Sequence, residues 1–157
     1  MPIEIAFADA RWKRVAKLAA LIEKAHTVTL AKPNAAKLTS LLLANDADVK
    51  KLNRHWRGKN KPTNVLSFPA AEVKVPRGEI KPLGDVVLSF ETCAKEAKAV
   101  GKSFRNHAIH LVVHGLLHLV GYDHEIEADA ERMEGKEIRI LAKLGIANPY
   151  VLDDVYE

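Results

Sequence analysis

The sequence predicts an α+β (mixed α/β) fold: one small, roughly four-stranded sheet with about five helices packed mainly on one side. Three observations predict it. Short apolar runs with strand character recur four times between residues 2 and 90. Stretches with three- and four-residue apolar spacing stand between and after them. Beyond Gly101 the chain carries two long helical patterns and no strand pattern. At 157 residues, 48% hydrophobic and 28% charged, the chain has the size and balance of a single domain over 1–157 with a real core. That composition excludes a disordered or fibrous class.

The elements follow in order. Residues 2–8 alternate apolar and polar, as a half-buried strand does. Trp12, Val15, Leu18, Ala19 and Ile22 then recur at helical spacing, predicting a helix that Asp9 caps and that ends near His26. Pro33 and Asn34 break the chain, and residues 38–44 read as a second strand. Asn45 and Asp46 cap a helix over 47–57, which Gly58 and Pro62 stop. A short strand over 64–68 closes at Pro69, and 70–82 reads as a loop. LGDVVLSF, residues 83–90, is apolar enough for the middle of a sheet. Helices over 91–100, 103–120 and 127–144 complete the chain, ended by Gly101, Gly121 and Gly145.

Composition narrows the functional classes. No apolar run approaches the roughly 20 residues that span a bilayer, so no membrane partner is expected. The Ala/Leu-rich N-terminus is closely bracketed by Lys17, Glu23 and Lys24 and reads as mature protein. The one cysteine, Cys93, leaves no internal disulfide and fits a reducing compartment, so the cytoplasm is expected. The net charge is +4. Lys50, Lys51, Arg54, Arg57, Lys59 and Lys61 fall in one stretch without an acid. Such a run is ordinarily a solvated helix face; beside a hydrolytic centre it becomes a phosphate-binding approach.

The helix over 103–120 carries the chemistry. Its apolar residues cover nearly the whole circumference, which predicts central burial, and buried imidazoles need partners. His110, His114 and His118 stand four residues apart in one line, with His107 close to it. Neighbours at that spacing can share an ion. A third histidine on the same helix would lie about 12 Å along the axis from the first, too far for zinc–nitrogen bonds of about 2.0–2.1 Å. The third ligand must come from chain that turns back. Gly121, Tyr122 and Asp123 make that turn, and His124 follows. His114, His118 and His124 are therefore expected to hold one zinc ion per chain, leaving a position for water as catalytic zinc does.

At these residues the sequence resembles a known family. HGLLHLVGYDH (114–124), RGKNKPTNVLSFP (57–69), LGDVVLSF (83–90) and NPY (148–150) are similar, in the same order, to the motifs of the YbeY family of bacterial ribosomal-RNA maturation factors. The likeness covers most of the chain from Asp46 onward, and the family often has Asp where Asn60 stands. The resemblance implies a zinc-dependent, single-strand-specific endoribonuclease acting in ribosomal RNA processing. It implies ribosomal RNA and the small ribosomal subunit as partners, with assembly-factor proteins beside them. It carries the metal-ligand role to His114, His118 and His124, and a substrate-facing role to Arg57. Arg57 is then the catalytic residue that holds the scissile phosphate as a charged fork. Lys59 and Lys61 would add backbone attraction for substrate.

Other residues carry competing readings. Position 115 is Gly, so the general-base Glu of HExxH is missing. Asp123 and Asp85 are candidates to assist water or to orient a ligand histidine; their plainer roles are a turn residue and a strand-end hydrogen bond. His107 and His110 should miss the ion and satisfy hydrogen bonds. Cys93 reads as core, and Trp56 as a packing anchor before a base-stacking platform. Two alternatives to the nuclease stay open: another zinc hydrolase such as a peptidase, and a non-catalytic ribosome assembly factor with a structural zinc.

Overall fold

The computed structural model describes residues 2–71, 74–123 and 125–151. The strands are β1 (Ile3–Phe7), β2 (Leu38–Ala44), β3 (Val65–Pro69) and β4 (Pro82–Ser89). They form one sheet in the order β1-β2-β4-β3, with β1, β2 and β4 parallel and β3 antiparallel to β4. The helices are α1 (Leu18–Thr29), α2 (Asp46–Arg57), α3 (Phe90–Val100), α4 (Phe104–Leu119) and α5 (Glu127–Lys143). The predicted α+β class, four-stranded sheet and five helices are all present.

One element differs from its sequence pattern. The single helix expected from Trp12 to His26 is two pieces: a 3₁₀ turn at Ala10–Arg14, capped by Asp9, and then α1. Lys17 between them adopts left-handed backbone at φ 61°. The cause is Trp12. Its indole donates to the Ala44 carbonyl at 2.8 Å, and its ring packs against Phe90 and Phe104 at 5.4 and 5.2 Å. Tying a fully buried Trp to the end of β2 outweighs an uninterrupted helix, because its buried area and indole hydrogen bond exceed the roughly 1–2 kcal/mol of one left-handed residue.

The core lies in two layers of unequal size. Alternate residues of β2 and β4 (Leu41, Leu43, Val86, Leu88) face the main cluster, which α1, α3, α4 and α5 complete. The intervening residues face a smaller cluster of Ala44, Val49, Leu66 and Val87 under α2. Period-two alternation thus splits the sheet between two cores. α4 lies at the centre, touching β3, β4, α1, α3 and α5. Its buried residues run around nearly its full circumference, as its composition predicts.

Candidate metal and RNA-cleavage site

Two local features aim the α4 histidines. First, the helix backbone lies almost on the sheet at Gly115. A Cβ there would meet Val86 Cγ1 at 2.7 Å and Ser67 Oγ at 3.1 Å, and the Ser67 hydroxyl donates to the Gly115 carbonyl at 3.0 Å. A Glu at this position has no room, so an HExxH-type base is excluded by packing. Second, the helix ends in a two-bond C-terminal motif. Tyr122 N–H reaches the Leu117 carbonyl at 3.0 Å and Gly121 N–H the His118 carbonyl at 3.1 Å. Gly121 takes the required positive φ of 101°. The chain reverses there and brings Asp123 to the wall of the same cleft as His114 and His118.

The two histidines converge. His114 Nε2 and His118 Nε2 stand 3.1 Å apart. His114 Nδ1 lies 2.6 Å from Oε2 of Glu137 on α5. A carboxylate only accepts, so Nδ1 carries the proton and Nε2 presents its lone pair toward His118. This donor set suits a metal such as zinc: two neutral imidazole nitrogens at the separation two ligands of one ion require. Among the described residues no group of three His, Cys, Asp or Glu is arranged to hold an ion. The third predicted ligand, His124, lies outside the described residues.

Glu137 is the residue that motif reading missed. It is fully buried and its other oxygen accepts from His110 Nε2 at 2.9 Å and from the Tyr150 hydroxyl. Burial pushes its carboxyl upward, but hydrogen bonds from His110, His114 and Tyr150 hold it down to about 2. Burial and the Glu137 charge together raise the Tyr150 phenol. The signal was present in the sequence. Met133, Glu137, Ile140 and Leu141 are the buried stripe of α5, so a Glu occupies a helical core position. His107 pairs with Glu96 at 2.9 Å, and with His110 lines a separate pocket.

The cleft, about 690 Å³, is lined by Arg57, Asn64, Ser67, His114, His118 and Asp123 among others. Arg57 therefore lines the same cleft as the two histidines. Its Nη2 donates to the Ser67 carbonyl at 2.8 Å and its guanidinium sits 5.3 Å above the Phe68 ring. Lys59 and Lys61 are exposed on the loop beyond α2, where buried Asn53 holds the backbone of both; they do not line the cleft. Asp85 faces the opposite side of the sheet, beside Trp56 and Phe68, which removes it from the histidine cleft; Glu137 orients His114 instead. Trp56 is 65% exposed, so it is not the packing anchor expected. Cys93 is buried, as expected.

The β3 edge borders this cleft, and its pairing bears on substrate. Ser89 N–H bonds the Asn64 carbonyl and Ala70 N–H the Leu83 carbonyl. With the register of β3 on β4, this turns the backbone groups of Val65, Ser67 and Pro69 outward. Val65 N–H is taken by Asn64 Oδ1 at 2.7 Å, the Ser67 carbonyl by Arg57, and Pro69 has no N–H. The edge is blunted against added strands.

The fold and the cleft define an α+β domain with a paired-histidine centre on a buried helix. The chain belongs to the YbeY endoribonuclease family: the profile described as Endoribonuclease YbeY matches residues 5–145. An Endoribonuclease YbeY from Chelativorans sp. is 47% identical over 150 residues, covering 94% of this chain and 92% of that protein. One from Azorhizobium caulinodans is 46% identical, covering 97% and 98%. A solution structure of a Thermotoga maritima protein superposes with a TM-score of 0.63 at 26% identity, covering 90% of this chain and 88% of that one.

Proposed function

We propose that this endoribonuclease is zinc-dependent and single-strand-specific, and that it acts on ribosomal RNA at the small ribosomal subunit in the cytoplasm. The observation that carries the metal reading is the pair of facing Nε2 atoms on His114 and His118, one of them oriented by Glu137. His124, three residues after Gly121 and six after His118, is the natural third ligand on sequence spacing. When bound there, zinc supplies Lewis acidity to water and phosphodiester.

The chain's own residues do the rest. Arg57 binds the scissile phosphate; the Ser67 carbonyl, which accepts one guanidinium N–H, and the Phe68 ring fix the group and leave donors for phosphate oxygens. Asp123 and Glu125 bring carboxylates to the cleft, where one can accept the proton of an attacking water. The blunted β3 edge and the absence of room at position 115 both disfavour a peptidase, which binds its substrate as an added strand. Lys59 and Lys61 attract the backbone of RNA before it enters.

The test is cleavage of single-stranded ribosomal RNA fragments by purified protein, with His114→Ala prepared in parallel. Zinc-stimulated internal cleavage that vanishes in the variant supports the reading. Equal cleavage by both preparations points to a contaminant and overturns it.

A further inference from the structure

Val49, Leu52, Asn53 and Trp56 recur at three- and four-residue spacing and form one stripe of α2. The stripe is buried at Val49 and Asn53 and emerges into solvent at Trp56. At 65% exposure Trp56 is the most exposed large apolar side chain among the described residues, so a face of its indole is open. His55 makes a T-shaped contact with the ring at 4.7 Å, and the Phe68 ring lies 6.5 Å away. The Arg57 guanidinium sits 5.3 Å from the same Phe68 ring and lines the cleft of His114 and His118. An open indole and a phosphate-seeking guanidinium are thus neighbours across one phenyl ring. We propose that Trp56 is the base-stacking platform through which this enzyme selects single-stranded RNA, holding an unpaired base next to the phosphate on Arg57.

This role rests on the nuclease reading above and adds to it the residue that chooses the form of the RNA. Arg54, Arg57, Lys59 and Lys61 flank Trp56 in sequence and are exposed, and residues 49–71 contain no acid. Interleaved cations and an open aromatic ring are the two parts of sequence-tolerant single-strand binding: the cations follow the phosphates and the ring stacks a base. Asp85 lies on the sheet floor beyond Trp56 and repels phosphate. The strand therefore keeps to the basic rim that leads into the cleft. A duplex gains phosphate contacts alone, because its bases are already paired and stacked on one another. The indole adds affinity only for unpaired RNA.

The test uses the intact, zinc-loaded chain and probes of equal length: an unstructured oligoribonucleotide, its blunt duplex, and the same single strand carrying abasic sites. Rapid mixing reads binding before cleavage. Quenching of Trp56 emission, with buried Trp12 as the constant background, reports stacking, and anisotropy of a labelled probe gives affinity for every variant. The single strand should quench Trp56, and the duplex and abasic strand should not. Trp56→Ala should weaken single-strand binding roughly five- to 150-fold, the range of one base–aromatic stack. Affinity for the duplex and the abasic strand should stay at the wild-type value. The salt slope for the single strand should also stay, since stacking releases no counterions. Trp56→Phe should keep most of the affinity. Undiminished single-strand binding in Trp56→Ala overturns the proposal. So does an equal loss on all the probes, which would make the ring a mere support for the basic helix end. Either result leaves His114-dependent cleavage, and with it the nuclease reading, standing. A wild-type chain that binds none of the probes overturns both.

Discussion

Glu137 Oε2 lies 2.6 Å from Nδ1 of His114, and this contact decides which nitrogen of His114 faces the cleft. It fixes the tautomer from one side so that Nε2 is turned toward the cleft and His118 on the other. The same carboxylate holds His110 and Tyr150, so three elements, α4, α5 and the 148–151 segment, meet on one buried charge. The NPY motif thereby acquires a structural role: Tyr150 reaches back across the helices to Glu137.

Glu137→Gln keeps the shape but can accept through only one atom, so either the bond from His114 or the two from His110 and Tyr150 lose their acceptor. Zinc affinity should fall roughly 10–100-fold, as for other partners of ligand histidines. Glu137→Ala leaves the buried donors of His114, His110 and Tyr150 without an acceptor and should cost about 1–3 kcal/mol for each that water cannot reach. Competition with a chelator and a denaturant titration read the two effects separately. Wild-type zinc affinity in Glu137→Gln would refute the orienting role.

Gly115→Ala should be costly although Ala is the better helix former. Its Cβ would stand 2.7 Å from Val86 Cγ1, so the helix must lift or Val86 must shift, at about 1–3 kcal/mol. A paired Val86→Ala substitution removes the clash, so double-variant stability should exceed the sum of the two single effects. Strict additivity would show that the helix does not rest on the sheet there.

How much of this was legible follows element by element. β2, α2 and α4 were plain because apolar period and caps agree: Asn45 and Ser103 sit at the N-caps of α2 and α4, accepting from Asp48 and Asn106. The break at Lys17 was hidden, since a local 3.6-residue period carries no trace of Trp12 reaching Ala44, 32 residues away. Asp85 was misplaced for a similar reason. In a strand one residue decides the face, and Asp85 shares its row with Phe68 rather than with the histidines. Glu137 was missed because a Glu among other acids in α5 looks solvated until the stripe of Met133, Ile140 and Leu141 is drawn through it.

Cys93 should be unreactive in the folded chain. Burial, with the Glu96 charge second, pushes its thiol from 9.0 up to about 12. Only the thiolate attacks a disulfide reagent. At pH 8 labelling should be slowed on the order of a thousandfold or more relative to the denatured chain. The sign for stability follows. The unfolded thiol loses its proton near pH 9 and the folded one only near 12, so this group favours the fold below pH 9. Its contribution is lost as pH rises between those values. Replacing Cys93 with Ala should flatten that part of the stability–pH curve, and rapid labelling at pH 8 under native conditions would contradict the burial.

The last prediction separates Arg57 from the two lysines by position. Arg57 lines the cleft, while Lys59 and Lys61 lie on the approach loop. For single-stranded RNA, log affinity should fall with log salt by about 0.7 per phosphate contact. Three or four contacts give a slope of about −2 to −3 on the same rule. Lys59→Ala with Lys61→Ala should flatten the slope by one to two contacts, weakening all sequences alike because phosphates carry no base information. Zinc content should be untouched. Cleavage of RNA already bound at saturation should change little, since neither side chain lines the cleft. Arg57→Ala should show the converse: a slope reduced by about one contact, but cleavage at saturating RNA strongly reduced. Its stability should fall by no more than about 1 kcal/mol, because the hydrogen bond to Ser67 is made from an exposed residue. Arg57→Lys should restore the slope without restoring the rate, since an ammonium cannot grip a phosphate through two parallel N–H groups. Full rate in Arg57→Lys would reduce Arg57 to a charge, and an unchanged slope in the double-lysine variant would return that loop to an ordinary solvated surface.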